Sequence, residues 1–277
     1  MKNLLLSIIL ITASQLAIFA QMGAPQFEGK EVFKNDDVVF HQIDEHTWVG
    51  TGHLSANESI YLIEGNKKAV LLDAASKITD LDKIVASITD KPVTLMLTHV
   101  HPDHVGAADY FPVVYMNPGD TAGARQMMPN YKGEFRYLKD GEVIDLGGRQ
   151  LQVVFTPGHT PGCVTYIDKD AGYGFSGDSF GSGNLLLFSG PFSTLIASCE
   201  KTLAIMDKEG IKFLYPGHFR GNNPETKQRL TDLITLSKDV LSGKVKGTEA
   251  AGNSRFGLNY SVSDYGVRVS YGPQALK

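Results

Sequence analysis

The chain has 277 residues, of which 42% are hydrophobic and 20% are charged, and its formal net charge is −4. A chain of this length can bury a full hydrophobic core within one domain. Lysine and arginine are scattered along the sequence, so it lacks the basic stripe that nucleic-acid binding needs, and we expect no nucleic-acid partner.

The first 20 residues have the pattern of an export signal. Lys2 is followed by an apolar stretch that ends at Ala20. A positive start, an apolar stretch and a small residue at its end are typical of a secretory signal peptide. A membrane anchor is the alternative, but the apolar run is short and is interrupted by polar residues. We therefore predict a signal peptide over residues 1–20 and one folded domain over residues 21–277. The mature protein would be soluble and periplasmic or extracellular, with no stable membrane anchor.

The segments before residue 98 are predicted to form strands with one helix between them. Apolar runs bounded by turn residues predict strands at 37–41, 47–50, 59–63, 68–72 and 93–97. Residues 78–87 have apolar side chains at helical spacing and predict a helix before the last of these strands. Asp73 ends the fourth strand.

A dense group of polar residues follows the strand at 93–97. His99, His101, Asp103 and His104 lie within six residues of one another, and Pro102 stops any helix from starting before it. The loop after a strand presents successive side chains to one cleft. Neutral imidazoles and a carboxylate are ligands that zinc prefers, and iron or manganese also accepts them. The sequence therefore predicts a metal site here.

The middle of the chain has a less regular pattern. Residues 105–111 predict the start of a helix, and residues 112–116 predict a short strand. The segment 117–140 is irregular but contains Tyr131 and Phe135, among other aromatic residues. Its first interpretation is a solvated loop, and its second is a flap whose aromatic side chains line a substrate entrance.

The second half of the chain again has polar residues where strands end. Strands are predicted at 151–155, 164–167, 172–175 and 211–215, helices around 195–206 and at 225–241, and a possible strand at 259–271. His159, Asp178 and His218 follow three of these strands. Strands that alternate with helices, with polar residues at the strand ends, indicate an α/β core with a site at one rim.

Two cysteines, Cys163 and Cys199, would meet an oxidising compartment after export. A single disulfide between them is one interpretation, and its pairing cannot be deduced from their spacing. A buried thiol near the site is the other, because Cys163 closely follows His159.

The residues of ligand type at the strand ends resemble, motif by motif, those of the metallo-β-lactamase superfamily of hydrolases. These residues are His99, His101, Asp103, His104, His159, Asp178 and His218. Asp73 also matches the aspartate of that family's first motif, and the resemblance covers roughly residues 48–220. It implies an α/β fold, the four-layer αββα sandwich, and a hydrolase domain over residues 21–277.

The resemblance also implies two zinc ions per chain, with iron or manganese as the alternative metals. The first ion would be bound by His99, His101 and His159, and the second by Asp103, His104 and His218. Asp178 would bridge the two ions, as its counterpart does in glyoxalase II and the quorum-quenching lactonases. Asp73 would orient the site from behind the ligands.

This ligand set predicts hydrolysis of a small-molecule substrate. Two divalent ions lower the pKa of a shared water, so a metal-bridging hydroxide is available at pH 7. Asp103, the predicted catalytic residue, would orient this hydroxide and move its proton towards the leaving group. The Gly-x-Ser-x-Gly turn of serine hydrolases is absent from the sequence.

A dinuclear zinc hydrolase of lactones, esters or thioesters is therefore the predicted function. A β-lactamase is the second candidate, which Asp178 disfavours because β-lactamases of this fold generally lack a bridging aspartate. A sulfur dioxygenase with one iron is the third, and the complete set of seven ligands favours two metals over one.

Overall fold

The structure is a computed structural model, and it describes residues 29–53, 57–249 and 256–277. The predicted signal peptide over residues 1–20 lies outside the described residues. Within the described ranges, no helix is long and apolar enough to cross a membrane.

The described chain alternates between strands and helices, as predicted. The strands are β1 (Glu31–Lys34), β2 (Val38–Asp44), β3 (Thr47–Gly52), β4 (Ser59–Glu64), β5 (Ala69–Leu72), β6 (Val93–Met96), β7 (Val113–Met116), β8 (Glu134–Tyr137), β9 (Val143–Asp145), β10 (Gln150–Phe155), β11 (Val164–Asp168), β12 (Tyr173–Gly177), β13 (Asn184–Leu187), β14 (Phe213–Pro216), β15 (Glu225–Thr226), β16 (Thr248–Glu249), β17 (Tyr260–Asp264) and β18 (Val267–Tyr271). The helices are α1 (Leu81–Ile88), α2 (Pro102–Val105), α3 (Thr121–Met127), α4 (Phe192–Lys208) and α5 (Lys227–Leu241).

The strands form two large sheets and one small sheet. The first sheet contains β1 to β8 in sequence order, and its neighbours are parallel from β5 onwards. The second sheet has the order β15-β14-β12-β11-β10-β9, in which only the β12–β14 pair is parallel among the described strands. The small third sheet has the order β13-β18-β17-β16.

The side chains of β4 show how the layers pack. Ile60 and Leu62 lie in the core that also contains Leu81 of α1, whereas Tyr61 and Ile63 lie in the core between the two large sheets. Successive strand residues point to opposite faces of a sheet, so one buried strand contributes to two cores. An apolar run of this kind is expected where both faces are covered.

The outer face of the second sheet is covered by α4 and α5. One apolar cluster joins Val154 and Leu214 of this sheet to Leu195 of α4 and to Leu230 and Leu233 of α5. The helical spacing predicted for α5 thus places its apolar side chains on one buried face. The layer order is helix, sheet, sheet, helix, so the predicted αββα sandwich is confirmed.

Two segments in the middle of the chain differ from their predictions. The helix predicted over residues 105–111 begins earlier, at Pro102, because proline is favoured at the first position of a helix, and it ends at Val105. A single 3-10 turn follows at Ala108–Tyr110. The segment 117–140 contains α3 and the edge strand β8 rather than a solvated loop.

Two aromatic residues of this segment, Tyr131 and Phe135, face the core rather than a substrate entrance. Tyr131 and Phe135 pack on each other, with ring centroids 4.9 Å apart, and both pack against the core under the first helix layer. The Tyr131 hydroxyl donates a hydrogen bond to the Phe111 carbonyl at 2.9 Å. The interpretation of these side chains as the substrate entrance was therefore wrong, because both side chains pack against the core.

A buried ion pair joins the two large sheets. Arg149 Nε donates to Asp168 Oδ2 at 2.7 Å in the second sheet, and the same guanidinium donates to Thr47 Oγ1 at 2.7 Å and to the His46 carbonyl at 2.9 Å in the first. Asp168 is fully buried. Loss of one member of such a pair leaves the other charge uncompensated in the interior.

We expect Arg149→Ala to lower the free energy of unfolding by about 3–5 kcal/mol, in the range found for broken buried pairs. Urea unfolding followed by circular dichroism measures this change. The matched control is Arg136→Ala, because Arg136 pairs with Glu134 on the surface and should contribute less than about 1 kcal/mol. Equal losses in the two variants would contradict the assignment of Arg149 as the link between the sheets.

Candidate metal centre

All seven predicted ligands lie at one edge of the sandwich, in the segments that follow four of the strands. His99 to His104 follow β6, His159 follows β10, Asp178 follows β12 and His218 follows β14. β12 and β14 are parallel neighbours, so their carboxyl ends present Asp178 and His218 at the same edge. The structure thus brings together residues that lie up to 119 positions apart in the sequence.

Three histidines form the first group of side chains at this edge. Nε2 of His99 lies 3.1 Å from Nδ1 of His101, and Nε2 of His159 lies 2.9 Å from the same atom. His99 and His159 are buried, and His101 is partly exposed. Three imidazole nitrogens therefore converge on one point, with all their candidate ligand atoms within 4.8 Å of one another.

A second group adjoins the first. It contains Asp103, His104 and His218, and Asp178 forms a further group with His99 and His104. Asp178 Oδ2 lies 3.3 Å from His218 Nε2 and 3.7 Å from His159 Nε2, so its carboxylate stands between the two groups. This is the position that the resemblance implied for Asp178.

Burial and neighbouring charges shift the pKa values of several of these residues. Burial lowers the pKa of His159 to about 4 and holds the pKa of His99 well below its usual range. Burial alone would raise the pKa of Asp178, but the adjacent His218 and His104 hold it well below its usual value. Neutral imidazoles and an ionised carboxylate are the forms that bind metal ions.

His104 differs from His99 and His159 in its surroundings. Burial opposes its charged form, but the carboxylates of Asp73, Asp178 and Asp103 raise its pKa to about 10. A metal ion at its Nε2 atom would therefore have to displace a proton, so we expect metal binding to release protons and to weaken as the pH falls.

Two buried atoms in this cluster fit a divalent cation. In the described part of the chain, neither His104 Nε2 nor Asp178 Oδ1 has a hydrogen-bond partner, and the two atoms lie 3.9 Å apart. Buried polar atoms without a partner are rare in folded proteins, because each one costs free energy. Two such atoms that face the same space fit a cation between a nitrogen and an oxygen ligand.

Asp73 lies behind His104 and the segment that follows β6. Its Oδ1 accepts a hydrogen bond from the Thr98 amide at 2.7 Å, and its Oδ2 accepts from the Thr98 hydroxyl at 2.6 Å and from His104 Nδ1 at 2.8 Å. The backbone of Asp73 is left-handed, with φ of 65°, a conformation that aspartate tolerates better than most residues. The carboxylate turns the Nε2 atom of His104 towards the site.

His159 is oriented by a backbone carbonyl in the same way. Its Nδ1 lies 2.7 Å from the carbonyl oxygen of Leu186, in β13. Since a carbonyl can only accept a hydrogen bond, Nδ1 carries the proton and Nε2 is left as the ligand atom.

Asp120 has a structural role at the site that was not predicted from the sequence. This buried carboxylate accepts hydrogen bonds from the Val100 amide at 2.9 Å, the Thr160 hydroxyl at 2.8 Å and the Gly162 amide at 2.7 Å. It therefore ties the loop of His99 and His101 to the loop of His159. In the sequence it looks like an ordinary turn aspartate after Pro-Gly.

Gly217 is a second residue without an obvious sequence signal. A Cβ atom at this position would lie 2.3 Å from Asp178 Oδ1 and 2.9 Å from His104 Cε1. The absence of a side chain therefore allows the loop of His218 to approach the other ligands.

Both cysteines are free thiols and both are buried. The Sγ atom of Cys163 accepts a hydrogen bond from the Thr160 amide at 3.2 Å, so it supports the turn after His159. Burial raises the pKa of Cys163 to about 12, which keeps the thiol protonated and unsuited to act as a nucleophile.

Comparisons with known proteins point to one superfamily. The sequence profile of the metallo-beta-lactamase superfamily matches residues 56–218. The chain is 27% identical to human acyl-coenzyme A thioesterase MBLAC2 over 229 residues, which cover 68% of this chain and 81% of that protein. It is 28% identical to glyoxylase B2 of Dictyostelium discoideum over 224 residues, which cover 69% and 74% of the two chains.

A solved structure has the same fold. The metallo-beta-lactamase from Pontibacter korlensis superposes with a TM-score of 0.58 at 18% identity, over 73% of this chain and 100% of the other.

Proposed function

This chain belongs to the metallo-beta-lactamase superfamily of hydrolases, and we propose that it is an exported, dinuclear zinc enzyme that cleaves lactone, ester or thioester bonds. The observation that carries the proposal is the position of the Asp178 carboxylate between two groups of candidate ligands. Asp178 can contact an ion in either group, so it supports two ions rather than one.

The donor atoms support zinc as the metal. They are imidazole nitrogens and carboxylate oxygens, which zinc binds readily, and the described ligand groups contain no thiolate. When bound, such ions supply Lewis acidity, which lowers the pKa of a coordinated water and polarises a carbonyl group.

The protein's own contribution to the reaction is to orient groups and to move a proton. Asp103 is 28% exposed, and its Oδ2 lies 3.5 Å from His218 Nε2. It is therefore a carboxylate at the open side of the site, where it can accept the proton of the attacking water and deliver it to the leaving group. Asp73 and the Leu186 carbonyl accept hydrogen bonds from Nδ1 of His104 and His159, so the Nε2 atom of each ring points towards the site.

Thioesters are the first substrate class to test. The human relative is named as an acyl-coenzyme A thioesterase, and both relatives described above cover most of their own length in the match. The second candidate is amide hydrolysis of the β-lactamase type, which is supported by the fold of the Pontibacter korlensis protein alone.

A panel of initial rates on the zinc-loaded protein tests the proposal. The substrates are an acyl thioester, an aryl ester, an acyl-homoserine lactone and a chromogenic cephalosporin, with chelator-treated protein as the control. We expect metal-dependent turnover of at least one of the first three and little turnover of the cephalosporin. A preference for the cephalosporin would favour the β-lactamase, and metal-independent rates would contradict both.

We expect Asp103→Ala to lower kcat by about 10²–10⁴-fold, the usual contribution of a general acid or base, while the protein stays folded. Steady-state rates on the best substrate measure the loss, and circular dichroism checks the fold. The control is Asp109→Ala, which removes an exposed carboxylate from the neighbouring turn. Full activity of Asp103→Ala would remove Asp103 from the mechanism.

Export is the remaining part of the proposal, and it is supported by the sequence pattern of residues 1–20. Expression of the full chain in a Gram-negative host, followed by fractionation and N-terminal mass analysis, should give a periplasmic protein that begins near Gln21. An uncleaved chain in the cytoplasm would contradict it.

A further inference from the structure

Strand β13 lies in the part of the chain that matches the superfamily profile, but it pairs with a strand of the C-terminal sheet. β13 pairs in parallel with β18, from Asn184 opposite Arg268 to Leu187 opposite Tyr271. The superfamily profile ends at residue 218, whereas β16, β17 and β18 lie beyond it. The position of β13 at the site therefore depends on strands that lie outside the matched region.

β13 leads directly to an aromatic side chain at the metal centre. The ring centroid of Phe188 lies 5.4 Å from that of His101 and 5.3 Å from that of His159, both in edge-to-face orientations. The Phe256 ring lies 6.5 Å from the Phe188 ring. These two rings, which we call the aromatic wall, extend from the first ligand group towards solvent.

The wall exposes apolar surface beside the reacting centre. Phe188 is partly exposed and Phe256 is 57% exposed, although phenylalanine side chains are usually buried. Exposed aromatic surface next to polar groups is typical of a binding site for an apolar ligand. No charged residue belongs to the wall itself.

The direction of the wall indicates which part of a substrate it contacts. It touches His101 and His159 of the first group, whereas Asp103, which would deliver the proton to the leaving group, lies with His104 and His218 in the second. A carbonyl bound between the groups would thus direct its leaving group towards Asp103 and its acyl group towards the wall.

We infer that Phe188 and Phe256 form a binding surface for an apolar acyl chain, held in place by the C-terminal sheet, and that the enzyme selects substrates with such chains. This inference rests on the proposed hydrolase function. Full burial of a methylene raises affinity about fourfold, so contact on one side of a chain should give about twofold per methylene.

A chain-length series of N-acetylcysteamine thioesters tests the wall, because the leaving group stays constant from acetyl to octanoyl. We expect kcat/KM of the zinc-loaded protein to rise about twofold per methylene. Phe256→Ser should lower the ratio of kcat/KM for the octanoyl thioester to that for the acetyl thioester at least about fourfold, because it removes the contact with about two methylenes. Phe256→Leu should restore most of that ratio.

The matched control is Val32→Ser, which removes another exposed apolar side chain. Val32 is 37% exposed and lies in β1, at the edge of the first sheet and five strands away from β6, which leads to His99 and His101. This variant should keep the wild-type ratio. A ratio that Phe256→Ser does not change, or a dependence on the length of the thiol rather than of the acyl group, would overturn the inference.

A binding measurement separates failure of the wall from failure of the proposed function. Titration calorimetry compares octanoate with acetate on the zinc-loaded protein and on Phe256→Ser, with no turnover required. Octanoate should bind at least about tenfold more tightly than acetate to the wild type, and less so to the variant. If thioesters are hydrolysed but the two acids bind equally, the function stands and the wall is overturned. If octanoate is preferred but no thioester is hydrolysed, the proposed function fails while the apolar surface stands.

Discussion

Asp178→Asn is expected to reduce turnover by more than the roughly 100-fold loss seen when residues that only orient metal ligands are replaced. The same variant should bind fewer than two zinc ions per chain. The physical reason is the position of this carboxylate between the two ligand groups, 3.3 Å from His218 Nε2 and 3.7 Å from His159 Nε2. An amide has the same shape but only one acceptor oxygen and no charge, so it cannot compensate two cations.

Initial rates and zinc content after dialysis measure both effects. The matched control is Asp170→Asn, which makes the same chemical change at an exposed residue after β11. It should keep the activity and the zinc content of the wild type. Two tightly bound zinc ions in Asp178→Asn would contradict the bridging role, whatever the activity of that variant.

The ligand residues could be predicted from the sequence because they obey a local rule. Each of them follows an apolar run that is recognisable as a buried strand, and the chemistry of histidine and aspartate indicates a metal. The order of strands and helices was recognisable for the same reason, since β4, β10 and α5 have clear periodicities. Local signals of this kind do not need knowledge of the tertiary contacts.

The parts that were missed depend on contacts between distant residues. β13 is a short run beside glycines, and it becomes a strand because β18, more than 80 positions later, pairs with it. Asp120 becomes part of the site only because two loops fold over its carboxylate. The aromatic residues of 117–140 suggested a flap. Which of their side chains are buried depends on tertiary contacts, and the sequence pattern alone does not show these.

Phe188 was missed for the same reason, because its position also depends on contacts between distant residues. Its position next to His101 and His159 follows from β13, and β13 follows from the C-terminal sheet. The sequence therefore predicts the metal chemistry, which is carried by local motifs. It does not predict the surface that selects the substrate, which depends on a long-range strand pairing.

Asp73→Asn is expected to weaken binding at the second ligand group by about 10–100-fold, the usual effect of losing a partner that orients a metal ligand. Asparagine tolerates the left-handed backbone of this position, so the change tests the carboxylate rather than the fold. If the amide oxygen keeps the hydrogen bond from the Thr98 amide, the amide nitrogen then faces His104 Nδ1. Because that nitrogen is a donor, it favours the tautomer of His104 with its proton on Nε2, the ligand atom.

The nitrogen-15 chemical shifts of the histidine side chains report this tautomer directly in the metal-free protein above the His104 pKa of about 10, where the ring is neutral, and zinc titrations report the affinity. Thr98→Val is the control for the tautomer of His104. It removes one hydrogen bond to Asp73 Oδ2 and the contact of the Thr98 hydroxyl with His99 Nδ1, but it leaves the contact between Asp73 and His104. We expect this control to keep the proton of His104 on Nδ1, whereas Asp73→Asn moves it to Nε2. Weakened zinc binding with an unchanged tautomer would mean that Asp73 acts through its charge alone. Unchanged zinc binding would contradict any role for Asp73 at the metal centre.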